Sequence, residues 1–170
     1  MLRRLFLLFF SLSISLSFIA CHSTSGTGTY FAFRKERFRA QIDGTLHGVT
    51  FSAEIGQYTR DEKSILYIKY SSPEALENVT LQKEEGGEPY VLYGDLLSAA
   101  QEERIRGLIL PLSALWQTDE ILRIQKSEEG TELIFSGERS LFLSKEGIPR
   151  RFSAPEAHFT VVWWEGESTK

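Results

Sequence analysis

The sequence predicts an α+β, mostly β domain: an antiparallel meander sheet with one short helical segment. Three observations carry this. Apolar and polar side chains alternate with period two through most of residues 34–164, glycine-bearing turn pairs punctuate the alternation, and the stretch 95–117 replaces it with a helical period.

The first strands are the clearest. Phe38, Ala40 and Ile42 alternate with Arg39, Gln41 and Asp43, and Val49, Phe51, Ala53 and Ile55 alternate with Thr50, Ser52 and Glu54. Each run is the pattern of a half-buried strand. Further strands are expected at 64–70, 78–84, 89–93, 119–126, 131–136, 139–144, 149–154 and 158–164. Asp43-Gly44, Glu85-Gly86-Gly87, Glu129-Gly130 and Glu146-Gly147 lie between strand candidates, where glycine supplies positive φ without steric cost. Links this short make consecutive strands antiparallel neighbours.

Two places depart from the strand pattern. Ser72-Pro73-Glu74-Ala75-Leu76 reads as one helical turn with Ser72 as cap and Pro73 at the first position. Leu96 to Glu103 has helix-forming composition. Leu108, Ile109, Leu112, Leu115 and Trp116 then form one apolar stripe, with Pro111 tolerated in the first turn of a helix that starts near Leu108.

The N-terminus reads as an export signal. Arg3 and Arg4 precede an uncharged apolar and serine-rich run from Leu5 to Ile19, and Ala20 precedes Cys21. As a helix, Leu5 to Ala20 would span ~24 Å at ~1.5 Å per residue, short of a hydrocarbon core of ~30 Å. Phe18-Ile19-Ala20-Cys21 resembles the bacterial lipobox. That resemblance implies diacylglycerol transfer to the Cys21 sulfur and cleavage before it, giving a membrane protein held by acyl chains. The expected organisation is a signal peptide over 1–20, lipidated Cys21 and a flexible small-residue tether over 21–33, the β domain over 34–164, and a polar tail over 165–170. The expected location is the extracytoplasmic face of the cell membrane, or the outer membrane in a two-membrane host.

Composition narrows the classes. The 170 residues are 42% hydrophobic and 12% aromatic, too apolar for a disordered chain. The net charge is −4, and losing Arg3 and Arg4 makes the remainder more acidic. This argues against nucleic acid, which needs a basic patch. Cys21 is the single cysteine, so neither an intramolecular disulfide nor a cysteine zinc cluster is available.

The order of elements carries a further resemblance. Phe38-Arg39-Ala40-Gln41-Ile42 and the Val-x-Phe-x-Ala-x-Ile strand at 49–55 lead to Ile65-Leu66-Tyr67-Ile68-Lys69-Tyr70 and the Ser-Ser-Pro-Glu-Ala-Leu connection at 71–76. Tyr90-Val91-Leu92-Tyr93-Gly94, a central helical stretch and a last meander with Gly147-Ile148-Pro149-Arg150 follow. This order, over about residues 34–164, resembles uncharacterised lipoproteins of clostridia-type bacteria. More distantly it is similar to the lipoprotein-carrier superfamily (LolA/LolB-like half-barrels). The resemblance implies a strongly curved sheet, with the helical segment packed on its concave face over an apolar hollow. No diagnostic carrier residue matches a position here.

Catalytic signatures are missing from the sequence. His22, His47 and His158 fall in the tether, a turn and a strand start, without metal-ligand spacing. Ser113 and Ser136 lie in no G-x-S-x-G elbow. No glycine run cradles a phosphate, and Glu84, Glu85, Glu88, Asp61 and Glu62 read as solvated turns. No catalytic, metal or cofactor site is therefore predicted, and the chain is expected not to be an enzyme. The expected function is a binding or carrier module sheltering a lipid or acyl chain, in a hollow lined by Phe51, Tyr67, Leu108, Leu112, Trp116 and Phe135. The competing reading is an envelope scaffold with a protein partner, sporulation-linked by analogy with related lipoproteins.

Overall fold

The computed structural model describes residues 30–84, 87–94, 96–99, 102–116 and 120–167. Cys21, the export signal and the tether through Thr29 lie outside them, as do Glu85 and Gly86 of one expected turn.

The chain first runs outward from the middle of a sheet. Strands β1 (Arg37–Leu46), β2 (Val49–Arg60), β3 (Lys63–Ser72), β4 (Val79–Glu84), β5 (Pro89–Tyr93) and β6 (Leu96–Ala99) pair in sequence order. Helix α1 (Glu102–Trp116) follows. Strands β7 (Ile121–Lys126), β8 (Gly130–Phe135), β9 (Arg139–Ser144), β10 (Pro149–Ala154) and β11 (Ala157–Glu167) then run back in, until β11 pairs with β1. The result is one sheet of eleven strands in the order β6-β5-β4-β3-β2-β1-β11-β10-β9-β8-β7, antiparallel at every pairing and unclosed.

Its outermost strands, β6 and β7, are consecutive in the chain, and α1 joins them. Flat, ten inter-strand gaps of ~4.8 Å would hold those edges ~48 Å apart. Fifteen helical residues cover only ~22 Å, so a flat sheet would be bridged only with the six remaining connecting residues near full extension at ~3.5 Å each, and the sheet instead curves. Bulges assist, with register shifts at Gln41/Ile42, Ser52/Ala53, Pro149/Arg151 and Ile121/Arg123. The concave face carries the core: Phe38, Ala40 and Ile42 of β1, Phe51, Ala53 and Ile55 of β2, Leu66, Ile68 and Tyr70 of β3, and Leu133, Leu141, Phe152 and Phe159 beyond. Ile109, Leu112 and Leu115 seat α1 on it.

The period-two reading holds for the ten expected strands, and the structure corrects it in detail. Leu96–Ala99, expected as helix, is β6; pairing with Tyr90 to Tyr93 overrides helix propensity. The helix begins at Glu102, so Pro111 lies in its interior and cannot donate to the Gly107 carbonyl. Asp43-Gly44 is not a turn. Both residues belong to β1, and the turn is His47-Gly48, with φ of 48° and 80°, the left-handed pair of a two-residue hairpin. The Ser-Pro segment forms a short 3-10 turn over Glu74–Leu76 with Pro73 at the cap and no capping side chain. At the two ends, Phe33 is buried and Glu165 to Glu167 belong to β11.

Gly44 is fixed by packing. It stands between Phe51 on β2 and Phe159 on β11, and a Cβ there would overlap the His158 carbonyl oxygen. Gly44→Ala is therefore expected to cost ~1–3 kcal/mol through overpacking, read as a lower urea midpoint with an unchanged denaturant slope.

Candidate functional site

Two side chains fasten α1 over the sheet. The Tyr70 hydroxyl donates to the Leu108 carbonyl at 2.6 Å, and Arg34 Nε donates to the Leu115 carbonyl at 2.8 Å. Leu115 is in the last turn, where helix carbonyls lack intrahelical partners. Burial disfavours the charged forms: it raises the Tyr70 pKa and lowers the Arg34 pKa to about 10, so Arg34 stays cationic at neutral pH. Its guanidinium lies over the Phe31 ring, 3.7 Å from the centroid.

An aromatic block closes the C-terminal end of α1. Phe38 stacks on Trp164 (4.1 Å, 7°) and on Trp116 (5.6 Å, 15°). Phe33 meets both tryptophans edge-on, at 5.9 and 6.4 Å. Trp163, next in the strand, points to the other face and is 38% exposed, as strand alternation requires.

Between α1 and the sheet lie two cavities. The larger, ≈ 1070 Å³, has an apolar floor from Leu66, Ile109, Leu112, Ala114, Trp116 and Phe152. Gln57, Thr59, Ser64 and Ser113 add polar groups, and Arg34, Lys35, Lys83 and Arg139 with Glu62 and Glu84 add charge. Gln57 donates through Nε2 to the Arg34 carbonyl at 3.1 Å and to Ser64 Oγ at 2.8 Å. Its Oε1 is buried and accepts no hydrogen bond. The smaller cavity, ≈ 280 Å³, is lined by Leu46, Phe51, Tyr70, Leu76 and Leu108 with the His47-Gly48 hairpin beside it.

The six residues expected to line one hollow do not share one. Leu112 and Trp116 border the larger cavity. Phe51 and Leu108 border the smaller. Phe135 is 1% exposed within the packed core and borders neither. Tyr67 is on the opposite face of the sheet. It stands across from Gly56, where a Cβ would lie 2.6 Å from its ring, and its hydroxyl donates to Glu54 Oε1 at 2.8 Å. Leu66, Ile68 and Tyr70 point inward, so Tyr67 has to point outward. The same parity places Tyr70, absent from the expected lining, on the cavity side. Arg34 and Lys35 carry no sequence signal as site residues, because only the tertiary fold brings them to the end of α1, whereas Gln57 continues the inward series of Phe51, Ala53 and Ile55.

Other groups stay apart. His47 sits in its turn, and His158 Nδ1 shares a 2.9 Å hydrogen bond with Thr45 Oγ1. Glu84 pairs with Lys63 at 2.9 Å. Among the described residues, no three histidine, cysteine or carboxylate side chains gather as a metal site, and no helix is long and apolar enough to cross a membrane.

No protein-family model and no curated protein matches the chain. Solved structures similar to it include MucB, at 10% identity over 88% of this chain and 61% of MucB, with a TM-score of 0.52. This likeness is one of fold, and the chain spans about three fifths of MucB's length. An uncharacterised conserved protein of Thermus thermophilus matches at 14% identity over 79% of this chain and 80% of that one, TM-score 0.46. A LolA superfamily protein of Nitrosomonas europaea matches at 8% identity over 79% and 87%, TM-score 0.38.

The Tyr70 bond to the helix is separable from the packing of its ring. Tyr70→Phe keeps the ring against Phe51 and leaves the Leu108 carbonyl without this donor, an expected loss of ~0.5–1.5 kcal/mol. Hydrogen exchange should localise the loss to amides 108–116, and equal protection there in both forms would contradict the anchor.

Proposed function

We propose that this chain is a non-catalytic binding or carrier lipoprotein of the cell envelope that shelters a lipid or acyl chain between α1 and the sheet. The larger cavity is the observation that carries the reading. At ≈ 1070 Å³ it matches the upper end of ligand cavities, ~300–1,000 Å³, and its floor is aliphatic and aromatic. Cavities of this make-up favour ligands that remove apolar surface from water. The sequence at Phe18 to Cys21 supports anchoring through acyl chains on Cys21, with the extracytoplasmic side as the working compartment.

A second reading, an envelope scaffold with a protein partner, draws on a different feature. The edge strand β7 exposes Leu122 (61%) and Ile124 (41%) beside an unpaired backbone edge, the geometry of strand addition.

Two measurements test the proposal. A diazirine-bearing fatty acid, fed to cells making the full chain, should on illumination label peptides from Ile109 to Trp116. Ser113→Trp, which fills the larger cavity, should cut that labelling at least tenfold, and labelling confined to β7 or absent would refute the carrier reading. Labelled palmitate should enter the protein and be lost in Cys21→Ser; equal incorporation in both would remove the anchor.

A further inference from the structure

We infer that Val162 and Trp163, side by side on the convex face of β11, contact the interfacial layer of the lipid bilayer and orient the anchored domain on it. This rests on the Cys21 anchor and adds to it a surface of the fold itself.

The pair exists because of a bulge. Trp163 stands across from Gln41 and Val161 from Ile42, so Val162 is an extra residue in β11. A bulge sets two residues of one strand against one of the other. Val161 and Trp164 on either side keep to the core, and Val162 and Trp163 are left 55% and 38% exposed. Two adjacent apolar side chains thus leave the core together, where regular alternation would bury one of them. Arg39 lies over the Trp163 ring, 6.0 Å from its centroid, and pairs with Glu165 at 3.1 Å, so the indole has a partner along the sheet.

The chain ahead of the fold decides what covers this pair. Phe33 meets Trp164 edge-on at 5.9 Å, so the domain begins beside the neighbour of Trp163. Tyr30 follows Cys21 by nine positions, a reach of at most ~32 Å at ~3.5 Å per residue. The eleven residues of β11 are themselves ~36 Å long at ~3.3 Å each. The leash is therefore no longer than the strand, and acyl chains on Cys21 keep this end of the sheet at the bilayer. Held there, the pair meets lipid at a high effective concentration. Tryptophan favours this layer, where its ring faces apolar matter and its N–H faces water. Size points to the same occupant. At 38%, Trp163 exposes about 95 Å² of a ring's ~250 Å², far below the ~800 Å² per partner of a stable protein interface.

The experiment uses full-length protein carrying its native lipid, in phosphatidylcholine vesicles with a nitroxide on the head group. A bimane label is placed at Thr160→Cys, exposed two residues before Val162, or at Ser98→Cys, exposed on the edge strand β6 six strands away. In protein that floats with the vesicles, quenching at position 160 should exceed that at 98 at least threefold. Val162→Glu with Trp163→Glu changes only exposed side chains, and should lower quenching at 160 to the level at 98 while flotation stays unchanged. Floating protein with quenching at 160 no greater than at 98, or with quenching that survives the double variant, overturns the inference. The anchor then stands, and the face is left to a protein partner or a second copy. Protein that does not float removes the anchor and the inference with it.

Discussion

A fifteen-residue helix must join the two outer edges of an eleven-stranded sheet, and that distance governs the rest of the molecule. The curvature of the sheet brings those edges within easy reach of so short a connection. Once wrapped, the sheet offers α1 a concave face, and the apolar stripe at Ile109, Leu112 and Leu115 is buried because there is nowhere else for a short connection to go. Hydrophobic burial holds the helix down. Tyr70 and Arg34 set where along the face it lies, each by donating to one of its carbonyls.

The cavities follow from the same arrangement. A straight rod on a curved floor touches along a line and leaves space on either side. The space toward β2, β3 and β4 is the larger, and the space under the His47-Gly48 hairpin the smaller. The aromatic block of Phe33, Phe38, Trp116 and Trp164 fills the end of the line where the domain begins and ends. Stacked and edge-on rings of this kind add specific attraction to their buried area, and Trp116 belongs both to the block and to the wall of the larger cavity.

Most of the fold is legible in the sequence because strand alternation is a local signal that burial of one face enforces. Phe38, Ala40 and Ile42 declare their common side without help from the rest of the chain. The errors arise where a non-local contact decides. Leu96 to Ala99 look helical, and become a strand only because β5 is there to pair with. Gly44 looks like half of a turn, and is a glycine because the His158 carbonyl and Phe159 of β11 occupy the place of a Cβ. The site is the least legible part. Tyr67 and Ile68 are adjacent in β3, so the inward-facing Ile68 puts Tyr67 on the opposite face from the cavities. Arg34 and Lys35 precede the first strand, and nothing in their neighbourhood says that they end beside residue 115.

The pairing of β1 with β11 has a consequence for the order of synthesis. Arg37 pairs with Glu167 and Leu46 with Ala157, so the first strand made waits for the last. Until the final residues emerge, one flank of β1 stays open, with Phe38, Ala40 and Ile42 beside it. Long-range closures of this kind are slow and leave strand edges vulnerable to foreign pairing in the interval. A nascent chain of this design therefore has its seam at its centre, and termination ahead of β11 would leave β1 without its partner along that flank.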